Sequence, residues 1–377
     1  MKVALVHDWL VSQRGGENVL AAICELFPTA DLFTLVYKPG SVSKNISNHK
    51  IYTSALQKIP SATRAYRHFL PLMPKLIESF DLSAYDLVIS SSHCVAKGVI
   101  KKKGAFHFSY VHAPMRYMWD RFDEYFGHGK YSPPVRLAAR LLRPYLQKWD
   151  KKSATRVDAF ASNSEFIAAK VKQYYGRDSQ VIYPFCDFEA FQRPREVGDA
   201  YVIVTALVPY KRVDLAVETF NLSGKKLIIV GDGPELQRLK ELAKSNIQFL
   251  APLSREDLAG LYSKGKALVF PGIEDFGIVP LESMAAGMPV IAYGVGGALE
   301  TVTEKTGLFF TEPTVKSLTK AINQFESKVF DEEECRKRAL LFSKKKFQTE
   351  IWTALEKNCP SKIWSSLGSA GIAPESF

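Results

Sequence analysis

Short apolar runs recur along the whole chain, each followed by a stretch long enough to cross back over a sheet, and this alternation restricts the fold more than any other feature. In the first half the runs lie at 1–6, 32–37, 87–91, 106–111 and 159–163, with an amphipathic segment at 17–27 after the first. Consecutive parallel strands need such crossovers, and runs of this kind suit strands buried on both faces. A second series begins with strand 201–205 and helix 214–220 and continues with strand 226–230 and a helix from Pro234 to about 243. Strand 247–250, helix 256–262 and strands 267–270 and 290–292 complete it. Between the series, 187–196 has Pro184 before it and Pro194 inside it and reads as a linker. The expected fold class is therefore α/β, with two domains in tandem, a cleft between them, and ligands at the carboxyl ends of the strands. The expected limits are 1–190 and 191–355. Beyond Thr311 the chain turns charged and helical, its last helix is expected to return to the first domain, and 356–377 reads as a frayed tail.

Two domains agree with 377 residues, and a composition of 46% hydrophobic and 24% charged residues excludes a disordered or fibrous chain. The first apolar run is cut by His7 and Asp8, and no run reaches the roughly 18 residues of a spanning helix, so a cytoplasmic location is expected. Cys24, Cys94, Cys186, Cys335 and Cys359 are widely spaced and contain no Cys-x-x-Cys, which argues for reduced thiols rather than disulfides or a zinc site. Of the net charge of +11, residues 1–190 hold +10, from 26 Lys and Arg against 16 Asp and Glu. An anionic surface would suit that half, although a solvated lysine-rich surface gives the same sum.

Neither Gly-x-Gly-x-x-Gly nor a P-loop is present, and no two aspartates are one residue apart, so a metal-free means of holding phosphate is expected. Arg14-Gly15-Gly16-Glu17 lies between the first strand and its helix, where glycines admit an anion, or make an ordinary turn. A helix over 278–286, opening after Gly277, would present free N–H groups and a positive dipole end, and Lys211 and Arg212 could add charge. Between Glu274 and Glu282 lie seven residues: the first carboxylate falls in a loop after a strand, the second inside the following helix. Loop and helix carboxylates of this kind accept hydrogen bonds from sugar and ribose hydroxyls, and a helix-start acid gives a plainer account. His112, after a strand and near Pro114, reads as readily as a satisfied polar residue, as do His7 and Asp8.

Glu274 and Glu282, Val208-Pro-Tyr-Lys211-Arg212-Val-Asp214, Val230-Gly-Asp-Gly-Pro234 and Gly15-Gly16-Glu17 together resemble the retaining glycosyltransferases of family 4, which have the GT-B fold of two Rossmann-like domains. His112-Ala-Pro-Met-Arg-Tyr-Met-Trp-Asp120 and Asn163-Ser-Glu-Phe further resemble the bacterial mannosyltransferases that build O-antigen and exopolysaccharide chains. The resemblance implies that Glu282 binds the donor ribose, Glu274 the donor sugar and Lys211 the diphosphate, with Phe276, Gly277 and Ile278 around it. It also implies that Gly16 lets the first loop approach the phosphate and that His112 faces the reacting sugar, so His112, Glu274 and Lys211 are the expected catalytic residues. Where the family has Arg, in a Gly-Arg-Leu context, this chain has Thr205-Ala206-Leu207, and Arg212 is the expected substitute. Ala251 replaces a Gly near the base, which leaves the base open.

The implied function is transfer of a hexose, mannose from GDP-mannose, onto a lipid-linked saccharide at the inner face of the cytoplasmic membrane. No cofactor and no metal are expected beyond the nucleotide sugar. A transferase using a UDP-sugar and a nonhydrolysing sugar-nucleotide epimerase share the architecture. A nucleic-acid binder using the basic half is disfavoured, because its aromatics do not alternate with its basic residues. An anionic membrane surface is expected to meet 134–152, read as a helix with Val135, Ala138, Leu142, Tyr145 and Trp149 on one stripe and Arg136, Arg140 and Arg143 on another, bent or broken at Pro144.

Overall fold

A computed structural model describes residues 1–127 and 132–367. The chain divides into two units, 1–183 with 345–377, and 184–344. In the first, β1 (Val3–His7), β2 (Asp31–Thr34), β3 (Ile51–Thr53), β4 (Leu87–Ser92), β5 (Phe106–Val111), β6 (Ala159–Ser162) and β7 (Gln180–Val181) form one sheet in the order β3-β2-β1-β4-β5-β6-β7. Every pairing is parallel. The second holds β8 (Tyr201–Val204), β9 (Leu227–Val230), β10 (Ile247–Leu250), β11 (Leu268–Phe270), β12 (Val290–Tyr293) and β13 (Gly307–Phe310), also parallel, in the order β10-β9-β8-β11-β12-β13. Both sheets reverse their strand order beside their first strand, at β1/β4 and at β8/β11, so the loops leaving those strands diverge and open a crevice. The register at β1/β4 sets His7 beside Ser91, which brings two polar side chains together at the mouth of that crevice.

The strands absent from the sequence expectation, β3, β7 and β13, are short and take outer positions in their sheets. The helix expected from Pro234 begins at Leu236, because the Glu235 N–H donates to the Leu207 carbonyl at 3.1 Å and holds that turn.

The first unit ends at Tyr183, not at 190, because the next residues pack in the second: Phe191 is buried, with its ring 5.8 Å from that of Tyr262. At the other end, helix Lys344–Asn358 carries the chain into the first unit, where Gln348 donates to the Ala22 carbonyl and Phe347 meets Tyr110. Within the expected tail from 356, helix Ser361–Trp364 forms and Cys359 and Leu367 are buried, while 368–377 lie outside the described residues. All five cysteines are free and buried.

Helix Pro133–Ala154 runs through Pro144 without a break, and its faces differ from expectation. Ala139, Leu146, Asp150 and Ser153 form the buried side, and Trp149 turns inward to donate from Nε1 to Glu78 at 2.8 Å. Arg143 is not solvated; it donates to the Met118 and Trp119 carbonyls and lies over the Phe122 ring. Of the expected apolar stripe, Val135, Ala138 and Tyr145 are exposed, and Leu137 and Leu141, at 59% and 72%, join them. Lys97, in an otherwise apolar stretch, pins this helix to the sheet. Its Nζ donates to Asp150 Oδ1 and Ser153 Oγ, both at 2.6 Å, and to the Asp150 carbonyl at 2.9 Å. Trp119 and Tyr175 fill the other carboxylate oxygen of Asp150, so this buried pair is fully satisfied.

Candidate functional site

In the first unit, polar side chains gather where β1, β4 and β5 end. His112 follows β5; its N–H donates to the Ser92 carbonyl, and its own carbonyl accepts from Asn163 Nδ2 at 3.0 Å, so the backbone is held from two strands. Its ring is clamped by Ser91, whose Oγ is 2.8 Å from His112 Nε2 and 3.1 Å from His7 Nδ1. A Cβ on Gly16 would sit 3.8 Å from His112 Nε2, in ordinary contact, so that glycine keeps the space beside the ring open.

Two carboxylates complete this cluster. Asp8 accepts four backbone N–H groups, from His93, Cys94, Val95 and Ala96, and its Oδ2 is 3.1 Å from His93 Nδ1. Glu17, in the first turn of helix Gly15–Leu26, accepts the Arg14 N–H at 2.9 Å with Oε2 and turns Oε1 toward His7 Nε2, 3.8 Å away. Burial works to raise the Glu17 carboxyl, but His7, His93 and the backbone together hold it below the usual range. Burial, reinforced by the neighbouring histidines, pushes His93 down to about 3 and His112 well below the ordinary imidazole range. Both imidazoles are therefore neutral near pH 7.

The second unit builds its cluster on loops after β8 and β11. Lys211 ends a short 3-10 turn, Pro209–Lys211, and its ammonium is paired with the Glu274 carboxylate; the two side chains are 13% and 19% exposed. A Cβ on Gly272 would come within 2.7 Å of the Lys211 Cα, so only glycine lets the β11 loop press onto the Lys211 backbone. The loop is clamped from the far side as well, where the Gly297 N–H donates to the Glu274 carbonyl at 2.9 Å. Gly277, at φ +97°, makes the left-handed turn into helix Ile278–Ala285, whose first N–H groups have no partner within the helix. Phe276 beside it is buried against Phe342.

Glu282 lies in that helix and is half-buried. Burial raises its carboxyl to about 7; the Arg255 charge and Tyr262 pull it back, and Asp187 pushes it further up. The fully buried Tyr262 hydroxyl acts on this carboxyl from just outside regular hydrogen-bond geometry.

Of the residues singled out by sequence, His112 and Gly16 meet in the first unit. Lys211, Arg212, Glu274, Phe276, Gly277, Ile278 and Glu282 all lie in the second. Lys211 and Glu274, expected on different parts of a ligand, hold each other instead. Arg212, at φ +50°, turns its Nε to Asp214 at 3.3 Å, while Ala206 is exposed in the β8 loop. Ser91 and His93 escaped the sequence reading; the only signal was the run Ser90-Ser-Ser-His93 at a strand end. Among the described residues, no three His, Cys, Asp or Glu are grouped as metal ligands.

Residues 188–341 match the family model described as glycosyl transferases group 1. The chain is 33% identical over 140 residues to the GDP-mannose-dependent alpha-(1-6)-phosphatidylinositol monomannoside mannosyltransferase of Mycobacterium tuberculosis, covering 32% of this chain and 36% of that one. It is 28% identical over 189 residues to the O-antigen chain mannosyltransferase RfbU of Salmonella typhimurium, covering 47% and 53%. These alignments span about a third to a half of the relatives' own lengths. In structure, the chain is similar to the lipopolysaccharide outer core galactosyltransferase WaaB, with a TM-score of 0.65 at 16% identity over 94% of this chain and 99% of that one. It is also similar to sucrose-phosphate synthase from Thermosynechococcus elongatus, with a TM-score of 0.67 at 17% identity over 98% and 100%. At such identities the likeness is one of fold.

Proposed function

We propose that this chain, whose residues 188–341 match the family model of glycosyl transferases group 1 and which has the GT-B fold, is a retaining mannosyltransferase. In this reading it moves mannose from GDP-mannose to a lipid-linked saccharide in cell-surface polysaccharide synthesis. The observation that carries the reading is the grouping of Lys211, Glu274, Gly277 and Glu282 on the segments that follow β8 and β11 of the group 1 domain. That the two relatives are mannosyltransferases favours mannose as the sugar, and the first of them depends on GDP-mannose.

Lys211 meets the donor diphosphate and, with the free N–H groups at the start of helix Ile278–Ala285, opposes the charge that grows on it as the glycosidic bond breaks. Glu274 exchanges its lysine partner for the donor sugar, and Glu282 accepts the ribose hydroxyls, with Arg255 favouring the ionised carboxylate. Arg212 stands in for the Arg missing at Ala206. The first unit supplies His112 to the reacting sugar and Gly16 to the approach of the phosphate. Attack on the donor's front face, with a donor phosphate oxygen taking the acceptor proton, retains the configuration without a carboxylate nucleophile. The exposed Leu137, Leu141 and Tyr145, with Arg140 and Lys148 on the same helix, support contact with an anionic membrane surface. Among the described residues no helix is long and apolar enough to cross a membrane.

The test incubates the purified full chain with GDP-mannose, UDP-glucose or UDP-N-acetylglucosamine, each with and without a lipid-linked saccharide. Nucleoside diphosphate is expected only with GDP-mannose and acceptor together, and the product linkage should keep the donor's anomeric configuration. Turnover with a UDP-sugar alone among the donors would reassign the base, and epimerised sugar without acceptor would replace transfer by epimerisation. A thermal-shift series gives the donor independently, since a ligand at about 100 times its Kd adds about 2.7 kcal/mol.

A further inference from the structure

The polar chain Glu17, His7, Ser91, His112 runs from helix Gly15–Leu26 through β1 and β4 to the residue after β5, and its donors and acceptors can be assigned from one end. His7 is fully buried, and its Nε2 has no hydrogen-bond partner among the described residues; the group facing it is Glu17 Oε1, at 3.8 Å. At that separation a proton on Nε2 is attracted by the carboxylate and a lone pair is repelled. The neutral tautomer that suits this pairing carries its proton on His7 Nε2 and offers a lone pair at Nδ1. The nearest donor to that lone pair is the Ser91 hydroxyl, at 3.1 Å. A hydroxyl has a single hydrogen, so once Ser91 donates to His7 its oxygen can only accept from His112 Nε2, 2.8 Å away.

We propose that Glu17, His7 and Ser91 are positioning residues that hold His112 as the Nε2–H tautomer, so that its unprotonated Nδ1 accepts a hydrogen bond from a hydroxyl of the substrate sugar. The inference rests on the reading of His112 as facing that sugar; the tautomer itself is a property of the free protein. The surroundings keep the ring neutral, as the device requires. His93 and His7 lie with ring centres 6.3 and 6.5 Å away, Tyr110 at 5.2 Å, and the charge of Arg116 also opposes a proton on His112. Asp8 cannot replace Glu17 in orienting this chain, because its oxygens are engaged by four backbone N–H groups and by His93. His112 thereby recognises a hydroxyl by its hydrogen, and a deoxy or O-methyl sugar at that position loses the contact.

The experiment is a long-range proton–nitrogen correlation spectrum of the full chain labelled with 15N-histidine, with the His112 signals identified by their loss in His112→Ala. Wild type should show His112 protonated at Nε2 alone. Ser91→Ala and Glu17→Gln should each give a mixture of tautomers and lower kcat about tenfold with donor KM little changed, while Ser91→Thr, which keeps the hydroxyl, should restore both. Glu17→Gln retains an oxygen for the Arg14 N–H, so it probes orientation if Ser91→Ala fails to fold. A wild-type His112 protonated at Nδ1, or an unchanged tautomer in folded Ser91→Ala or Glu17→Gln, overturns the proposal. Full activity in His112→Ala overturns the placement of His112 at the sugar, and the spectrum then still decides the tautomer by itself.

Discussion

Each unit contains a lysine–carboxylate pair, and the two pairs do opposite work. Lys97 and Asp150 are 2% and 0% exposed at their side chains, and every polar atom of the pair is bonded to neighbours that do not move apart. Lys211 and Glu274 are 13% and 19% exposed and sit on strand-end loops beside a helix N-terminus. A pair that has shed its water and filled its hydrogen bonds is a pin; a pair at a crevice, still partly wet, can trade its partner for a ligand. The surrounding charge differs in the same sense: residues 1–183 and 345–377 carry 30 Lys and Arg against 17 Asp and Glu, whereas 184–344 carry 20 against 22. The first unit spends its excess cations on its surface, and the second places a few at a site.

The contrast is broken most severely at the pin. Asp150→Ala should cost about 3–5 kcal/mol in denaturant unfolding, because it leaves the Lys97 ammonium buried without a countercharge; a loss under about 1 kcal/mol would contradict a structural role. Lys211→Ala should do the reverse, changing stability by no more than about 1 kcal/mol while lowering kcat by about 10²–10³-fold, with a smaller change in donor KM. Full turnover in a folded Lys211→Ala would remove it from the site.

Glu282→Gln should weaken donor binding by about 1.5–3 kcal/mol, seen mainly in KM. With its carboxyl raised from 4.5 to about 7, native Glu282 keeps a proton that the unfolded chain has lost. That contribution to stability is complete below 4.5 and is lost as pH rises to about 7, so wild type should lose melting temperature across this window relative to Glu282→Gln. Donor affinity should move the other way, rising through pH 7 in wild type and staying flat in the variant. A pH-independent difference in melting temperature would reject the buried-carboxyl account.

Leu141→Glu should reduce sedimentation with anionic vesicles about tenfold, since it removes one of the most exposed apolar side chains of the helix face. Binding indifferent to this change, to salt and to anionic lipid content would sink the membrane contact. Smallest of all, EDTA should change turnover by less than about tenfold; a larger loss restored by magnesium would reject diphosphate neutralisation by Lys211 and the helix terminus alone.

The second unit was far more legible than the first. Glu274, Gly277 and Glu282 are close along the chain, so a loop followed by a helix start brings them together by local geometry, and their spacing could be read directly. His7, Ser91 and His112 are separated by 84 and 21 residues, and only strand order and register make them neighbours. Ser91 had no signal of its own beyond a run of serines. The helix over Pro133–Ala154 was legible from its periodicity, and Val135, Ala138 and Tyr145 of its expected stripe are exposed, but Trp149 left that stripe and Leu137 and Leu141 joined it. Trp149 satisfies its indole N–H on Glu78 inside the unit, whereas Leu141 finds no neighbour to bury it.

The alternation of apolar runs and crossovers, the two-unit plan, and the positions of the glycine turn and carboxylates around Gly277 follow from residues near one another in sequence, because strand, helix and turn preferences are short-range. The return of 345–367 to the first unit, the ordering of Cys359 and Leu367, the Lys97–Asp150 pin, the grip of Glu274 on Lys211 and the imidazole chain ending at His112 were decided by tertiary structure. Each depends on a contact between distant segments, and whether a polar atom is left alone, paired or neutral is settled only when packing has removed the water around it.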